Sequence, residues 1–385
     1  MPLLTVVSRW TWPLATFCLC GLLAAATPAA LAQAPRPTQV QRPAPLQRAA
    51  QPRLQPQQSL AALIQEAAEL SKTATAGEDL ARLITLCKQA QAQNPPEPHA
   101  TYFRELEAWS RSRRGELYAE QANLATDDTI WQKYEQAAFQ DFDLAVQQNP
   151  KLWQAVHHRA VSHARLGRID EAIADLDTTL QMNPKFNTGW YNRAELHYQQ
   201  RDFKQALADY EAALKLDATD VDAVTGKAHT LYQLEKYREA LTHYSQAVKI
   251  APQDASRYAD RADAYSDLGF WEQATGDFSQ ALDLDADLAR AYQGVAWILA
   301  TCPDEKYRDP EQAVELAERA IQLNPAADYR YHDTLAAAQA AIGKFDIAVK
   351  SGETAAQQAP ETERTYIEHR LALYQQRKAY LEPSR

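Results

Sequence analysis

Cysteine, glycine and methionine are scarce in this chain, whose 385 residues include only 4, 11 and 2 of them, respectively. Cys18 and Cys20 lie near the amino terminus, and Cys87 and Cys302 are too far apart in sequence to form a zinc or thiol-redox motif. The sequence also lacks a glycine-rich phosphate loop and the glycine-flanked serine of a nucleophile elbow. We therefore expect no metal, no cofactor, no small-molecule substrate and no enzymatic activity.

Basic residues are outnumbered by acidic ones outside the amino-terminal region. The chain has 40 Lys and Arg against 50 Asp and Glu, which gives a formal net charge of −10. Residues 1–57 hold 5 arginines and no acidic residue, so the rest of the chain holds 35 basic and 50 acidic side chains. A surface of that sign repels phosphate backbones, and nucleic acid is therefore not an expected partner.

The longest apolar run lies between Leu14 and Ala26. It follows Arg9 and precedes the small residues around Ala32, which is the order of regions in a secretory signal cleaved before Gln33. A membrane span needs about 20 residues, so the run is short for an anchor. We predict that residues 1–32 are a cleaved signal peptide, that the protein is periplasmic or extracellular, and that it contacts a membrane only if the signal is uncleaved.

Residues 33–58 are rich in Pro, Gln and Arg and contain no acidic side chain. Such a composition cannot bury a hydrophobic core, so it predicts a disordered, partly polyproline linker. Two interpretations of the linker remain open. It is either a solvated spacer, or its arginines contact an acidic polymer of the cell envelope.

An internal repeat occupies most of the remaining chain. Four segments with a period of 34 residues begin at Trp153, Asn187, Val221 and Ala255. All four carry alanine at positions 8 and 20 and a large apolar side chain at positions 17 and 24. The alanines are Ala160, Ala194, Ala228, Ala262, Ala172, Ala206, Ala240 and Ala274; the large residues are Ile169, Phe203, Tyr237, Trp271, Leu176, Tyr210, Tyr244 and Phe278. The apolar spacing predicts two amphipathic helices per segment, packed closely at the alanines.

The repeat continues in altered form on both sides of these four segments. We predict a degenerate helical region at 59–152, four regular repeats at 153–288, two altered repeats at 289–362, and a capping helix with a tail at 363–385. An insertion around Arg113–Asp128 is either a lengthened helix pair or a loop. The capping helix is predicted over Glu363–Tyr380, with Ile367, Leu371 and Tyr374 on its inner side. In all we count eight repeat-like helical hairpins. Because each hairpin alone leaves apolar faces exposed, the hairpins must stack on one another.

The period and the alternation of small and large residues resemble the tetratricopeptide repeat. That resemblance implies an all-α fold, a right-handed superhelical solenoid of antiparallel helix pairs with a C-terminal capping helix. A second likeness runs from Trp297 to Asp304 and continues in Asp333–Ala338 and Arg370–Tyr374. This block is similar to one in exported tetratricopeptide repeat proteins of planctomycete-type bacteria, and it implies a fold and a habitat but no reaction.

The resemblance also implies where a partner binds, since first helices line the concave side of such a stack. Positions 2, 5, 6, 9, 12 and 13 of each first helix are predicted to face that groove. Those predicted to contact a partner are His157, His158, Arg165, Tyr191, Asn192, Glu195, Tyr198, Gln199, His229, Tyr232, Gln233, Asp260, Asp263, Asp267, Gln293 and Trp297. Tyrosine and tryptophan offer a large contact area at low entropic cost, which suits peptide binding.

Some tetratricopeptide proteins hold a C-terminal carboxylate with Lys or Arg beside an asparagine. In this chain Asn192 is present, but Tyr191 and Glu195 occupy the neighbouring positions. That clamp is therefore missing, and we expect the partner to present a basic or apolar segment instead.

Charged residues also recur at position 7, where arginine dominates, and at position 23, where aspartate dominates. The position-7 residues are Arg159, Arg193, Lys227 and Arg261, and the position-23 residues are Asp175, Asp209, His243 and Asp277. We predict a structural ladder of ion pairs within the repeats. The nearby His157, His158 and His163 do not suggest zinc, because His163 is expected to point inward and the other two outward.

Together these features predict an exported, non-catalytic module for protein–protein interaction or assembly, which binds a partner peptide or protein segment in its groove. The alternative is an envelope-associated structural protein that holds a polymer or membrane surface through its basic linker.

Overall fold

The computed structural model describes residues 58–324 and 326–383. The predicted signal peptide and residues 33–57 of the predicted linker lie outside the described residues. The chain divides between Met182 and Asn183 into two compact units, an amino-terminal and a carboxy-terminal one. The described residues form 17 α-helices and no strand, which confirms the all-α prediction.

The amino-terminal unit contains six helices that form three consecutive pairs. They are α1 Leu60–Leu70, α2 Gly77–Gln91, α3 His99–Asn123, α4 Asp128–Gln148, α5 Trp153–Arg165 and α6 Ile169–Met182. The predicted insertion is a lengthened helix pair, because α3 has 25 residues and α4 has 21. Asp127 is the N-cap residue of α4. Its carboxylate accepts hydrogen bonds from the N–H groups of Thr129 and Ile130 at 2.9 and 3.0 Å.

The carboxy-terminal unit contains five further pairs and a final single helix. Its helices are α7 Asn187–Gln199, α8 Phe203–Leu216, α9 Val221–Gln233, α10 Tyr237–Ile250, α11 Ala255–Asp267, α12 Trp271–Leu284, α13 Ala289–Thr301, α14 Pro310–Leu323, α15 Tyr329–Ala341, α16 Phe345–Gln358 and α17 Glu361–Gln375. Within this unit, each helix packs mainly against the next one or two along the chain, the nearest-neighbour arrangement of a solenoid.

Every regular repeat turns at the same position between its two helices. Gly167, Arg201, Glu235 and Gly269 all stand at position 15, and all four adopt a positive φ between 61° and 78°. Glycine takes this left-handed conformation without a steric penalty, whereas Arg201 and Glu235 take it at some cost. The turn geometry therefore follows from the repeat and not from the individual residue.

Aromatic rings at position 24 of two repeats pack against a glycine of the following repeat. Tyr210 lies so close to Gly226 that a Cβ atom at Gly226 would approach its ring to 2.5 Å, and Phe278 and Gly294 repeat the arrangement at 2.2 Å. Both glycines occupy position 6 of a first helix. The absence of a side chain there lets the ring pass between neighbouring helices.

The predicted ion-pair ladder is confirmed in three repeats. The shortest distances are 2.8 Å for Arg159–Asp175, 2.7 Å for Arg193–Asp209 and 2.6 Å for Arg261–Asp277. In the repeat that has lysine, Lys227 bonds to Glu211 at 3.1 Å. Each aspartate accepts two hydrogen bonds from one guanidinium, which fixes the second helix against the first.

The observed capping helix, α17, is shorter than predicted. The prediction that it continues to Tyr380 is wrong. Helix α17 ends at Gln375 because Arg377 takes a left-handed φ of 59° and the Lys378 N–H bonds back to the Leu373 carbonyl at 2.9 Å. Ile367 and Tyr374 are buried as predicted. Residues 378–383 leave the helix as a non-helical tail.

The two cysteines in the described residues, Cys87 and Cys302, are unpaired and fully buried. Burial raises the pKa of the Cys87 thiol to about 12, so it packs as a small apolar side chain. In residues 58–324 and 326–383, no helix combines the length and apolar character needed to cross a bilayer.

Candidate partner-binding site

The residues predicted for the amino-terminal unit are held by contacts within that unit. His157 is only 1% exposed, so the prediction that it points outward is wrong, and burial lowers its pKa to about 3. His158 packs against the ring of Phe142 at 5.2 Å between centroids. The Arg165 guanidinium bonds to the buried carboxylate of Glu135 at 3.0 Å. These three side chains thus have structural partners in the same unit.

In the carboxy-terminal unit, the predicted residues lie on what we call the first-helix face, the surface formed by positions 2, 5, 6, 9, 12 and 13 of α7, α9, α11 and α13. Their exposure decreases from α7 towards α13. Gln199 is exposed, Tyr191, Glu195, Tyr198 and Gln233 are partly exposed, and Asn192, His229, Tyr232, Asp260, Asp263, Asp267, Gln293 and Trp297 are buried. The side chains open to a partner are therefore concentrated on α7 and the end of α9.

Three tyrosine side chains surround one carboxylate at the α7 end of this face. We call Tyr191, Glu195, Tyr198 and Tyr210 the Glu195 cluster. The Tyr210 hydroxyl donates a hydrogen bond to Glu195 Oε1, and the Tyr191 hydroxyl also donates to Glu195. Tyr198 bonds to Gln233 of the next first helix. The cluster thus combines aromatic rings with a carboxylate held in place by hydroxyl groups.

Tyr210 is the member of the cluster that sequence reasoning missed. It stands at position 24 of a second helix, α8, a position that the periodicity assigns to the core, and its ring is indeed buried. Its hydroxyl reaches the first-helix face because Gly226 leaves room for the ring. The signal in the sequence for this position of Tyr210 is Gly226, a glycine at position 6 of the following repeat.

The Glu195 carboxylate sits in a negative environment. Burial raises its pKa, the hydroxyl groups of Tyr210 and Tyr191 oppose that rise, and the negative charge of Asp222 adds to it. Burial and the neighbouring carboxylates also raise the pKa of Tyr191. Within the described residues, no lysine or arginine bonds to Glu195.

The acidic residues further along the face are neutralised by the chain itself. The guanidinium of Arg290, on α13, forms an ion pair with Asp260 at 2.8 Å and another with Asp263. Its Nε also donates a hydrogen bond to Asp263 Oδ2 at 2.9 Å. Asp267 accepts a hydrogen bond from the Tyr232 hydroxyl at 2.7 Å. Burial lowers the pKa of His229, beside Asp260, to about 4. This part of the face is a closed polar network.

The carboxy-terminal tail covers the last predicted residues. The Trp297 indole N–H donates to Glu382 Oε1 at 3.0 Å, and the Glu382 N–H donates to the Thr301 carbonyl at 2.8 Å. The Arg370 guanidinium lies over both the Trp297 and the Tyr380 rings, at 5.5 and 5.6 Å. Gln293 is likewise occupied, since its side-chain amide donates to Thr334 at 2.7 Å. The tail therefore takes the place that a partner would need at Trp297.

Two family models, both described as tetratricopeptide repeat, match residues 158–221 and 197–260. Neither match indicates an enzyme family. No curated protein is significantly similar to this chain.

Several solved structures are similar to this chain at low sequence identity. Yeast Tom70 is 20% identical with a TM-score of 0.47, and the match covers 78% of this chain and 60% of Tom70. A tetratricopeptide repeat protein from Parabacteroides merdae is 17% identical with a TM-score of 0.43, over 82% and 98% of the two chains. YrrB, described as a tetratricopeptide repeat protein with an unusual peptide-binding site, is 21% identical with a TM-score of 0.39, over 48% and 92%.

The chain spans about 60% of the length of Tom70. The family-model matches, the 34-residue period and the paired helices agree for the central part of the sequence, where residues 158–260 match the tetratricopeptide repeat.

Proposed function

We propose that this protein is an exported module for protein–protein interaction that binds a basic or apolar segment of a partner on the first-helix face of its carboxy-terminal unit. Tetratricopeptide repeats mediate protein–protein interaction, so the general role follows from the repeats at 158–260. The location of the binding surface and the character of the segment are our proposals.

One observation carries the proposed location. Tyr191, Glu195 and Tyr198 are partly exposed on α7, whereas the predicted residues of α11 and α13 are buried under contacts within the chain. Two tyrosines and a carboxylate on one helix offer a partner an aromatic contact area and a charge. A partner therefore finds its contact points around α7 and not along the whole face.

Affinity capture from the cell envelope fraction tests this location. The full chain and a variant with Tyr191→Ala and Tyr198→Ala serve as baits, and Tyr366→Ala is the matched control because Tyr366 is an exposed tyrosine of α17 in the same unit. We expect the same partner with the full chain and the control, and its loss with the double variant. Circular dichroism is used to check that all three baits are equally helical. Equal recovery by all baits would place binding elsewhere.

Export rests on the amino-terminal sequence, whose residues 1–57 lie outside the described part of the chain. Mass spectrometry of the protein purified from its native source tests this proposal. A mature chain that begins at Gln33 is expected, and an intact amino terminus on protein from the cytoplasm would contradict it.

A further inference from the structure

Several buried or partly buried carboxylates of the carboxy-terminal unit are paired with an arginine. Arginine partners lie at 2.6–2.8 Å in four such contacts: Arg193–Asp209, Arg261–Asp277, Arg290–Asp260 and Arg370–Asp333. Glu195 differs, because its described hydrogen-bond partners are tyrosine hydroxyls. Removing a carboxylate from water without an opposite charge is costly, so the site is incomplete as a charge pair.

Glu195 stands on α7, where the first-helix face is partly exposed. It occupies position 9, near the middle of α7, with Tyr191 one turn before it and Tyr198 about one turn after it. All three side chains are partly exposed, whereas Tyr210 is buried beneath them with only 1% of its surface accessible. The Tyr191 and Tyr210 rings meet edge to face at 6.1 Å between centroids. Glu195 therefore lies among these rings, in what we call the recess, at a partly exposed point of the first-helix face.

The charges around the recess are mostly negative. Asp220 and Asp222, at the start of α9, are close enough to raise the pKa of Tyr191. Asp222 is bonded to Arg257 at 2.7 Å, while Asp220 accepts a hydrogen bond from the Asn187 side-chain amide at 2.9 Å. The positive charge of Arg201 acts to lower the pKa of Tyr198, and its guanidinium stacks over the Phe203 ring at 5.5 Å.

We propose that the Glu195 cluster is a recognition pocket for one lysine or arginine side chain of the partner segment. A bound ammonium or guanidinium would donate charge-assisted hydrogen bonds to the carboxylate and would lie against the electron-rich faces of the tyrosines. This inference rests on the proposed function and adds to it the chemistry of one contact. The carboxylate gives the pocket its preference for a cation, and the aromatic rings accept the aliphatic part of the same side chain.

Selection of random heptapeptides displayed on phage, with the full chain immobilised, tests the pocket. Glu195→Gln keeps the shape and the hydrogen-bond acceptor but removes the charge, and Glu239→Gln removes an exposed carboxylate from α10 as the matched control. We expect peptides selected on the full chain to share a Lys or Arg at one position. Replacing that residue by norleucine should weaken binding to the full chain and to the control about tenfold or more, as measured by calorimetry.

The same replacement should change the affinity for Glu195→Gln by less than about twofold, because the charge it would meet is already gone. Tyr210→Phe, which deletes only the hydroxyl that positions the carboxylate, should weaken the selected peptides while the helix content stays unchanged. Peptides that bind with equal affinity to the full chain and to Glu195→Gln, or that share no cation, would overturn the inference.

The outcomes separate this inference from the proposed function. Selected peptides that lack a cation but lose binding with Tyr191→Ala and Tyr198→Ala would preserve the location of the site and refute its charge preference. Failure to enrich any peptide, or binding that survives the double tyrosine variant, would count against both.

Discussion

Two acidic positions on the same first-helix face differ in what neutralises them. Glu195 of α7 receives hydrogen bonds from two tyrosine hydroxyls, whereas Asp260 and Asp263 of α11 share the guanidinium of Arg290. The first carboxylate is partly exposed, and the other two are buried. An acidic side chain on the face is therefore not by itself a contact for a partner. What matters is whether the chain already supplies the opposite charge.

The difference between Glu195 and the Asp260–Asp263 pair also separates side chains that matter for stability from side chains that matter for binding. The Arg290 network ties α13 to α11, and removing its positive charge should destabilise the stack of repeats, because the carboxylates would stay buried without that charge. The Glu195 cluster should contribute less to stability and more to recognition. Four changes test this division, and they are arranged from the largest expected effect to the smallest.

Removing Arg290 should have the largest effect. In Arg290→Gln, Asp263 stays buried without its bonded guanidinium and Asp260 keeps only the more distant Arg257, at 3.7 Å. We expect the free energy of unfolding to fall by about 3–5 kcal/mol. Urea unfolding followed by circular dichroism measures the change. Arg319→Gln is the control, since the exposed pair Arg319–Asp287 at 3.3 Å should contribute no more than about 1 kcal/mol. If Arg290→Gln and Arg319→Gln were equally stable, the Arg290 network would contribute no more than an exposed ion pair, and its contrast with Glu195 would be lost.

Breaking one step of the ion-pair ladder should lower stability without affecting binding. Asp209→Asn leaves the Arg193 guanidinium without its bidentate acceptor, and a loss of about 1.5–3 kcal/mol is expected from hydrogen bonds to a charged group. Asp277→Asn breaks the same contact two repeats later and should cost a similar amount. Thermal unfolding and affinity for the selected peptides are measured together. A weaker affinity with unchanged stability would show that the ladder belongs to the binding site.

Filling the two glycine gaps should distinguish a packing effect from a binding effect. Gly226→Ala pushes against the Tyr210 ring and Gly294→Ala against the Phe278 ring, so each should lower stability by about 1–3 kcal/mol. Only the first change displaces a hydroxyl that holds Glu195. We therefore expect weaker peptide binding in Gly226→Ala and unchanged binding in Gly294→Ala. Parallel losses of affinity in both variants would indicate that general distortion, and not the Glu195 cluster, controls binding.

The pH dependence of stability should show the smallest effect. Burial raises the folded-state pKa of Glu195, and Asp222 adds to the rise against the opposing tyrosine hydroxyls. Above the unfolded value of about 4.3 the unfolded chain therefore releases a proton that the folded chain retains.

The free energy of unfolding should consequently decline, relative to Glu195→Gln, as the pH rises from that value towards the higher folded-state pKa. The slope cannot exceed about 1.4 kcal/mol per pH unit for one proton. Denaturant titrations of both proteins across this range measure the difference. Parallel stability profiles would mean that Glu195 is ionised in the free protein.

The sequence predicted the features that depend on one repeat. Its period placed the starts of α5, α7, α9 and α11, and the recurring charges predicted the Arg193–Asp209 contact and its equivalents. These features follow from helical spacing and from contacts between two helices that are adjacent in sequence.

Contacts between repeats were not predicted, for a physical reason. The pairing of Arg290 with Asp263, the reach of Tyr210 past Gly226, and the packing of Glu382 against Trp297 all depend on how consecutive helix pairs are stacked. Periodicity shows which face a residue occupies but not which neighbour it meets. The end of the capping helix was predicted too late because a left-handed residue, Arg377, ends a helix whose sequence reads as continuous.

The account depends most directly on where the partner lies. Site-specific photo-cross-linking tests where the partner lies. A photoreactive amino acid is placed either at Gln199, an exposed residue of the first-helix face, or at Glu239, an exposed residue of the second helix α10. Each full-length protein is irradiated in the envelope extract, and its cross-linked partner is identified by mass spectrometry. We predict a single cross-linked partner from position 199 and none from position 239. A partner captured from position 239 but not from 199 would contradict binding on the first-helix face.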